Sequence, residues 1–148
     1  MRKEINEVIK KWGVSPEDVF ISDVTGYKII RRPGIMHIRY KMALSIELTL
    51  EHVGAKEAVV KAKALDKDGI PMSTYGEANP DNNTFPYPVA VAQKRAESRL
   101  VIQMSNLIKD GWMGEDEVDF RVKEEAKIKV NEKKAKDSIE ETKRKLGI

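Results

Sequence analysis

The sequence predicts an α+β fold: a curved antiparallel β-meander packed on one long helix, with a short N-terminal helix and a charged C-terminal helical tail. Two stretches, residues 36–50 and 57–65, alternate apolar and polar side chains as half-buried strands do. Residues 89–109 instead carry apolar side chains at helical spacing. These elements fit a single α+β domain over residues 1–120, followed by the tail at 121–148.

The N-terminal region predicts one helix and an extended segment. Residues 2–12 have apolar side chains three and four positions apart, and Gly13 follows as a helix stop. Residues 19–30 are predicted to be extended, with a break in the middle. The Arg-Pro-Gly sequence at 32–34 then predicts a turn, because proline presets its φ and glycine accepts the positive φ that follows.

The strongest periodic signal lies between Met36 and Leu50. Every even position there is apolar and the odd positions are mostly polar, which predicts a strand with one buried face. At about 3.3 Å per residue such a strand is roughly 50 Å long, well beyond the usual length. We therefore expect it to curl over a helix or to belong to a larger assembly.

The rest of the meander is predicted from residues 57–78. Residues 57–65 alternate again, and alanines dominate one face, so a closely packed helix is expected on that face. Asp68-Gly69 predicts a hairpin turn, and Pro71 marks the returning strand as an edge strand.

A loop at 78–88 leads into the long helix predicted at 89–109. One stripe of this helix faces the sheet, and apolar residues outside the stripe, such as Val101 and Ile102, predict a second packing surface. Residues 112–114 are predicted to be a short connector. The tail is rich in Lys and Glu with a thin apolar stripe, so a lone helix, a partner-docking helix and a largely disordered segment are all compatible with it.

The composition argues against several kinds of chemistry. The chain has no cysteine, which removes disulfides, thiolate nucleophiles and cysteine zinc sites. It lacks the glycine-rich loop that cradles nucleotide phosphates and the common hydrolase motifs, and its two histidines have no neighbouring ligands for a metal. We expect no catalysis, no cofactor and no metal. With no apolar run near the roughly 18 residues of a membrane span and no signal peptide, we expect a cytoplasmic protein.

Charge is unevenly distributed along the chain. Residues 28–63 contain 8 basic and 3 acidic side chains, whereas residues 64–120 contain 5 basic and 10 acidic ones. The basic block predicts contact with an anionic polymer, and the two blocks also predict contact with each other, within a chain or between identical chains. Ordinary solvated surface charge is the alternative interpretation.

Basic side chains line the predicted polar face of the sheet. His37, Arg39 and Lys41 point the same way on a strand, at steps of about 7 Å. Lys61 and Lys63 lie on the next strand, and antiparallel pairing can bring them to the same face. Phosphates of a single nucleic-acid strand repeat at a similar spacing, so this row predicts contact with such a backbone. The alternative is a solvated outer face.

A second basic row lies on the long helix. Arg95 and Arg99 are four residues apart and Lys94 is adjacent, although like charges at this spacing repel each other. An anion such as a phosphate would stabilise two arginines held together. The alternative is salt bridges to sheet carboxylates, or to the acidic residues of this chain or a neighbour, namely Glu115, Asp116, Glu117 and Asp119.

Two aromatic side chains stand in the loop before this helix. Phe85 and Tyr87 are predicted either to stack on unpaired bases or to cap the core.

Part of the chain resembles a block in phage-type single-strand DNA annealing proteins, recombinases of the ring-forming β-β-β-α annealing superfamily. In that family a "GEA-x-P" strand end leads into an "AEKRA-x-x-R" helix. The matching segments here are Gly76-Glu77-Ala78-Asn79-Pro80, Tyr87-Pro88 and Ala92-Gln93-Lys94-Arg95-Ala96-Glu97-Ser98-Arg99, with Gln93 in place of the family's glutamate. An acidic stretch from Glu115 to Phe120 follows, and the resemblance covers about residues 27–120.

The resemblance implies a β-β-β-α core, ATP-independent annealing of complementary strands, and rings or filaments with a positively charged groove over sheet and helix. The leading hypothesis is a homo-oligomeric single-stranded DNA-binding and annealing protein of homologous recombination and DNA repair, acting in a bacterial host if phage-encoded. Its expected DNA-binding residues are Arg39, Lys41, Lys61, Lys63, Lys94, Arg95 and Arg99, with His37 and Tyr87. Its expected oligomer interface is Glu115, Asp116, Glu117 and Asp119.

Two other hypotheses stay open at this point. One is a structural or adaptor protein whose sheet and tail bind other proteins, without a nucleic-acid role. The other is a small enzyme that acts on an anionic substrate through the arginine row.

Overall fold

The computed structural model describes residues 2–147, with side chains at 3–118 and 131–147. The fold is α+β, as predicted. The elements in chain order are α1 (Arg2–Trp12), β1 (Val19–Ile21), β2 (Lys28–Ile30), α2 (Arg32–Lys41), β3 (Glu47–Val53), β4 (Ala58–Leu65), β5 (Pro71–Ala78), α3 (Pro88–Met104), β6 (Trp112–Gly114) and α4 (Val118–Lys145).

The strands form two three-stranded sheets. Strands β3, β4 and β5 form an antiparallel meander in sequence order, with β4 in the centre. The second sheet has the order β1-β2-β6, in which β1 pairs antiparallel with β2 and β6 pairs parallel with β2. The prediction that residues 112–114 are only a connector is therefore wrong. Three residues are too few to show a strand period, and the buried Trp112 and Met113 hold this segment against β2.

Helix α3 packs directly on the meander, as the alanine-rich face of β4 predicts. Gly76 on β5 lies so close to the helix that an added Cβ would be 2.0 Å from the carbonyl oxygen of Ala92. Next to it, the buried Thr74 hydroxyl donates a hydrogen bond to the carbonyl oxygen of Ala96 at 2.7 Å. Small residues on both surfaces thus allow the helix backbone to touch the sheet. The apolar residues buried there are Ala58, Val60, Ala62, Ala64, Ala78, Ala92, Ala96 and Leu100.

The second packing surface predicted for α3 is confirmed. Val101 and Ile102 are buried in another core cluster, on the side of the helix that faces α1, α2 and the small sheet. Helix α3 therefore stands between the two sheets and joins their cores. The helix ends at Met104, earlier than predicted, because Asn106 adopts a left-handed conformation with φ of 63° before a single 3₁₀ turn at Leu107–Asp110.

The long strand predicted at 36–50 is wrong in its first half, and so is the turn predicted at 32–34. Residues Arg32–Lys41 form α2, and only Glu47–Val53 form the strand β3. Proline suits the first turn of a helix, and the buried Ile35 and Ile38 follow helical spacing. Gly34 is needed for close approach rather than for a turn, since an added Cβ would lie 2.8 Å from Cγ2 of Ile30.

The helical tail is also present. Helix α4 runs from Val118 to Lys145, and its side chains over 131–147 are exposed. Among the described residues, no helix combines the length and the apolar character needed to cross a lipid bilayer.

Candidate nucleic-acid interface

The outer face of the meander, on the side away from α3, is the most open basic surface built by the predicted residues. Its rows follow from the strand register: Thr49 and Tyr75 flank Lys61, and Glu47 and Ser73 flank Lys63. Neighbours in such rows have Cβ atoms about 5 Å apart. The face is defined by Glu47, Thr49, Lys61, Lys63, Ser73 and Tyr75.

Lysines follow the central strand of this face. Lys61 and Lys63 are one strand repeat apart, about 7 Å, and Lys56 and Lys67 lie in the turns at the two ends of β4. None of the four forms an ion pair with another described side chain; Lys56, Lys63 and Lys67 are exposed and Lys61 is partly exposed. The outward direction of Lys61 and Lys63 agrees with the alternation of β4 in the sequence.

An aromatic ring adjoins the lysines. Tyr75 lies directly opposite Lys61 on β5 and is 50% exposed. Glu47 lies opposite Lys63 on β3 without an ion pair between them, and the nearby Glu77 carboxylate is held by Arg99. Tyr75 is not among the binding residues predicted from the sequence. Its place in the alternating pattern of the returning strand, at an odd position, is the sequence feature that puts it on the outer face.

The row of His37, Arg39 and Lys41 does not exist as predicted, because these residues lie on helix α2 and not on a strand. Residues two apart on a helix are rotated by about 200° around its axis, so Arg39 points away from both His37 and Lys41. The Nε2 atom of His37 is buried without a hydrogen-bond partner in the described part of the chain, and the Nη1 atom of Arg39 lies 3.5 Å from the Glu97 carboxylate. Lys41 is exposed at the end of the helix, one turn after His37 and on the same side, and both side chains lie near Gly13.

Arg95 is a buried structural residue, with 3% of its surface exposed. Its guanidinium donates to the main-chain oxygen of Asn82 at 2.7 Å, to Asn82 Oδ1 at 2.9 Å and to the main-chain oxygen of Glu77 at 2.8 Å. Nε donates to the main-chain oxygen of Asp116. Burial lowers the pKa of Arg95 from its ordinary value. Each of its three nitrogens donates to an acceptor of this chain, and the side chain is buried, so it does not contribute to an open surface.

Arg99 is likewise engaged within the chain. It forms ion pairs with Glu77 and Glu117 and donates to the main-chain oxygen of Tyr75. Burial alone would lower the pKa of Arg99, but hydrogen bonds and charge from Glu117 and Glu77 outweigh it and raise the pKa. The salt-bridge alternative therefore describes Arg99, and Lys94 is the exposed cation of the helix row.

Together the two arginines cover the second half of the free edge of β5. The outward carbonyl groups of an edge strand have no strand partner, and Arg95 and Arg99 supply donors to those of Glu77 and Tyr75. The other edge of the meander, along β3, has only β4 as a strand partner, and all seven of its residues are exposed.

The acidic stretch folds back onto the same chain. Glu115 accepts a hydrogen bond from the Arg32 amide at 2.8 Å, and Asp116 accepts one from the Ser98 hydroxyl at 2.8 Å. Arg32 also pairs with the buried Glu97 at 2.8 Å, a contact for which the sequence carried no signal. These contacts match the alternative in which the acidic residues pair internally. The side chain of Asp119, also predicted in the interface, lies outside the described residues.

A pair of stacked aromatic rings marks the end of the meander where β5 leads into α3. The rings of Phe85 and Tyr87 have centroids 5.6 Å apart and an interplanar angle of 16°, and each residue is about half exposed. Neither ring enters the buried clusters, so the core-capping alternative does not describe them. Because β4 begins at the same end of the sheet, this loop adjoins the turn that carries Lys56.

Exposed lysines and exposed aromatic rings thus lie near each other on the outer face of the meander and at its end near α3. Over the described residues, no three His, Asp or Glu side chains converge as ligands for a metal ion. In other proteins, exposed lysines bind phosphates and exposed aromatic rings stack on bases.

Comparisons with protein-family models, curated proteins and solved structures gave no significant match.

Proposed function

We propose that this protein binds a single strand of nucleic acid along the outer face of the meander and promotes the pairing of complementary strands. The observation that carries the proposal is the pair of outward lysines, Lys61 and Lys63, which form no ion pair with a described residue and lie beside the exposed ring of Tyr75. Consecutive phosphates of an extended strand can meet such lysines, and a ring beside them offers a stacking surface for an unpaired base.

The proposed path differs from the groove that the resemblance implied. Arg95 and Arg99 face the β5 edge and internal acceptors, so they support the sheet instead of contacting the strand. The backbone contacts in this proposal come from Lys61 and Lys63, with Lys56 and Lys67 extending the row. Lys41 and Lys94 lie on other surfaces and are not part of the path.

DNA as the physiological strand, a role in homologous recombination and a cytoplasmic location are parts of the same proposal. They rest on the resemblance of the strand-to-helix block and on the β-β-β-α order of β3, β4, β5 and α3. Annealing fits a protein that grips phosphates without a nucleotide cofactor, because strand pairing supplies its own free energy.

Self-association is also part of the proposal, because several copies present two strands to each other more effectively than one. The open edge of β3 supports it. On the side of β3 that faces α3, Leu48, Leu50 and Val53 are between 38% and 55% exposed. An exposed edge strand with apolar side chains favours pairing with another chain.

The open edge also favours a second candidate function, that of an adaptor. An extended peptide of another protein can add a strand to an exposed sheet edge. In that case the lysines of the outer face are solvated surface residues without a nucleic-acid ligand.

The two candidates are separated by measuring the affinity for a short fluorescent oligothymidylate by anisotropy. Lys61→Ala with Lys63→Ala should weaken binding at least tenfold, and the affinity of the unaltered protein should fall steeply between about 50 and 200 mM salt because counterions are released. Lys3→Ala with Lys10→Ala on α1 is the control with the same change in charge. Equal affinity for all three proteins, or no dependence on salt, would contradict the proposed function.

Annealing is tested separately with two complementary labelled strands, without ATP, followed by energy transfer. We expect the unaltered protein to raise the rate of pairing and the Lys61 and Lys63 double variant to lose most of this effect. Binding without acceleration would restrict the function to strand binding.

A further inference from the structure

A pocket of about 420 Å³ lies between the β3–β4 turn and the loop before α3. We call it the loop pocket. Its volume falls in the range of sites for small ligands, roughly 300–1,000 Å³. The lining residues used in the argument are Lys56, Asn83, Thr84, Phe85 and Pro86.

The loop that forms one wall is held in place by its own hydrogen bonds. The Asn83 side chain accepts a hydrogen bond from the Phe85 amide at 3.0 Å and donates one to the Phe85 carbonyl oxygen at 2.9 Å. Asn82 is fixed by the buried Arg95. Pro86 follows Phe85 and Pro88 follows Tyr87, and both restrict the backbone further. The Phe85 ring is therefore presented in a fixed position, backed by Tyr87.

The charge of the loop pocket favours an anionic ligand. Lys56 is its one charged lining residue among those described, and no carboxylate lines it. The pocket also lies at one end of the strand that carries the outward lysines, because the turn with Lys56 leads directly into β4. A neutral proline-rich peptide would use the ring and the prolines but would gain nothing from these lysines.

We propose that the loop pocket receives one unpaired base of the bound strand, stacked on Phe85, while Lys56 contacts the adjacent phosphate. The Thr84 hydroxyl and the pocket wall then contact the base edge. This inference rests on the proposed function and deepens it, since it assigns a base-binding pocket in addition to the exposed ring of Tyr75 on the outer face. Stacking on an aromatic ring tolerates any base, so the pocket adds affinity without sequence preference.

The test compares two oligonucleotides of equal length, an oligothymidylate and an abasic phosphodiester strand with the same charge. Phe85→Ala should lower the affinity for the oligothymidylate about tenfold or more and leave the affinity for the abasic strand unchanged. Phe85→Tyr should retain binding because the ring is kept. Phe20→Ala, which removes a 39% exposed ring from β1, is the matched control and should change neither affinity.

The outcomes separate this inference from the proposed function. If the Lys61 and Lys63 double variant loses affinity while Phe85→Ala binds both strands normally, only the loop-pocket inference fails. The inference is also overturned if Phe85→Ala lowers the affinity for both strands equally. It is likewise overturned if the protein binds a proline-rich peptide through Phe85 and does not bind the oligonucleotide through it. If the unaltered protein binds neither strand, the proposed function fails and the inference fails with it. A thermal unfolding curve for Phe85→Ala that matches the unaltered protein establishes that the fold is intact.

Discussion

Arg95 has a structural role because it is buried, whereas its charge and its position on the helix predicted that it binds phosphate. A cation placed four residues from another cation on a helix looks like a phosphate-binding pair. In the folded chain the guanidinium is enclosed and its planar fork of donors is matched by acceptors from three separate segments, at Glu77, Asn82 and Asp116. The neighbouring cation one position earlier, Lys94, is exposed.

This difference predicts opposite stability effects for two neighbouring cations. Arg95→Ala leaves buried acceptors of Asn82 and Glu77 without donors, and each loss of this kind costs about 1–3 kcal/mol, so we expect unfolding to become easier by about 3 kcal/mol or more. Arg95→Lys should recover little, because an ammonium group cannot reproduce the fork. Urea unfolding measures the change, with Lys94→Ala as the control expected within about 0.5 kcal/mol. A stable Arg95→Ala protein would show that the network is dispensable.

The position of a side chain can be predicted from the sequence when it depends on neighbouring residues, and not when it depends on residues far along the chain. Lys61 and Lys63 were placed correctly on one face, because strand alternation is a property of neighbouring residues. Nothing near Arg95 in the sequence indicated Asn82 as its partner, and nothing near Arg99 distinguished a carboxylate ligand from a phosphate. Whether the cations of the helix and those of the sheet lie on one surface depends on tertiary structure and could not be read from the sequence.

At the scale of elements, α2 shows how one pattern can satisfy two periods. The apolar residues Met36, Ile38 and Met42 occupy even positions, but Ile35, Ile38 and Met42 also lie three and four apart, as on one side of a helix. Tertiary contacts stabilise the helix over the strand, since Ile35 and Ile38 enter the core shared with α3 and Gly34 lies against Ile30. The meander and α3 were predictable because each is long and has one dominant period.

The contact between α3 and β5 carries its own prediction. At Gly76 an added methyl group would meet the backbone atoms of Ala92 and Ala96 rather than a flexible side chain, so the helix would have to move away from the sheet. We expect Gly76→Ala to destabilise the protein by about 3 kcal/mol or more, at the high end for overpacked cores. Gly69→Ala is a poor control because its φ is positive, whereas Ser73→Ala on the outer face should be nearly neutral. Denaturant unfolding compares the two, and equal stability would contradict the close packing.

At the scale of the whole molecule, the two edges of the meander have different properties. The β5 edge is covered at Tyr75 and Glu77 by Arg99 and Arg95, which disfavours the addition of a strand from another copy along that half of the edge. The β3 edge is open along its whole length. Two copies joined through β3 would therefore share one continuous six-stranded sheet related by a two-fold axis, because such a contact uses the same surface on both partners. A ring or filament would need an additional, unlike contact.

Light scattering after size exclusion tests this arrangement through the mass of the particle. We expect the unaltered chain to elute at a multiple of its 16.8 kDa mass, and Leu48→Lys with Leu50→Lys to elute as the monomer, because like charges on the edge repel each other in the paired state. Val24→Lys, at a loop residue that is 94% exposed, adds a charge elsewhere and should leave the mass unchanged. Twice the chain mass would indicate the two-fold contact alone, and larger multiples, especially with an oligonucleotide present, would indicate the further contact that a ring requires. A monomeric unaltered chain would rule out β3 as a self-association edge and leave it free for the peptide of another protein.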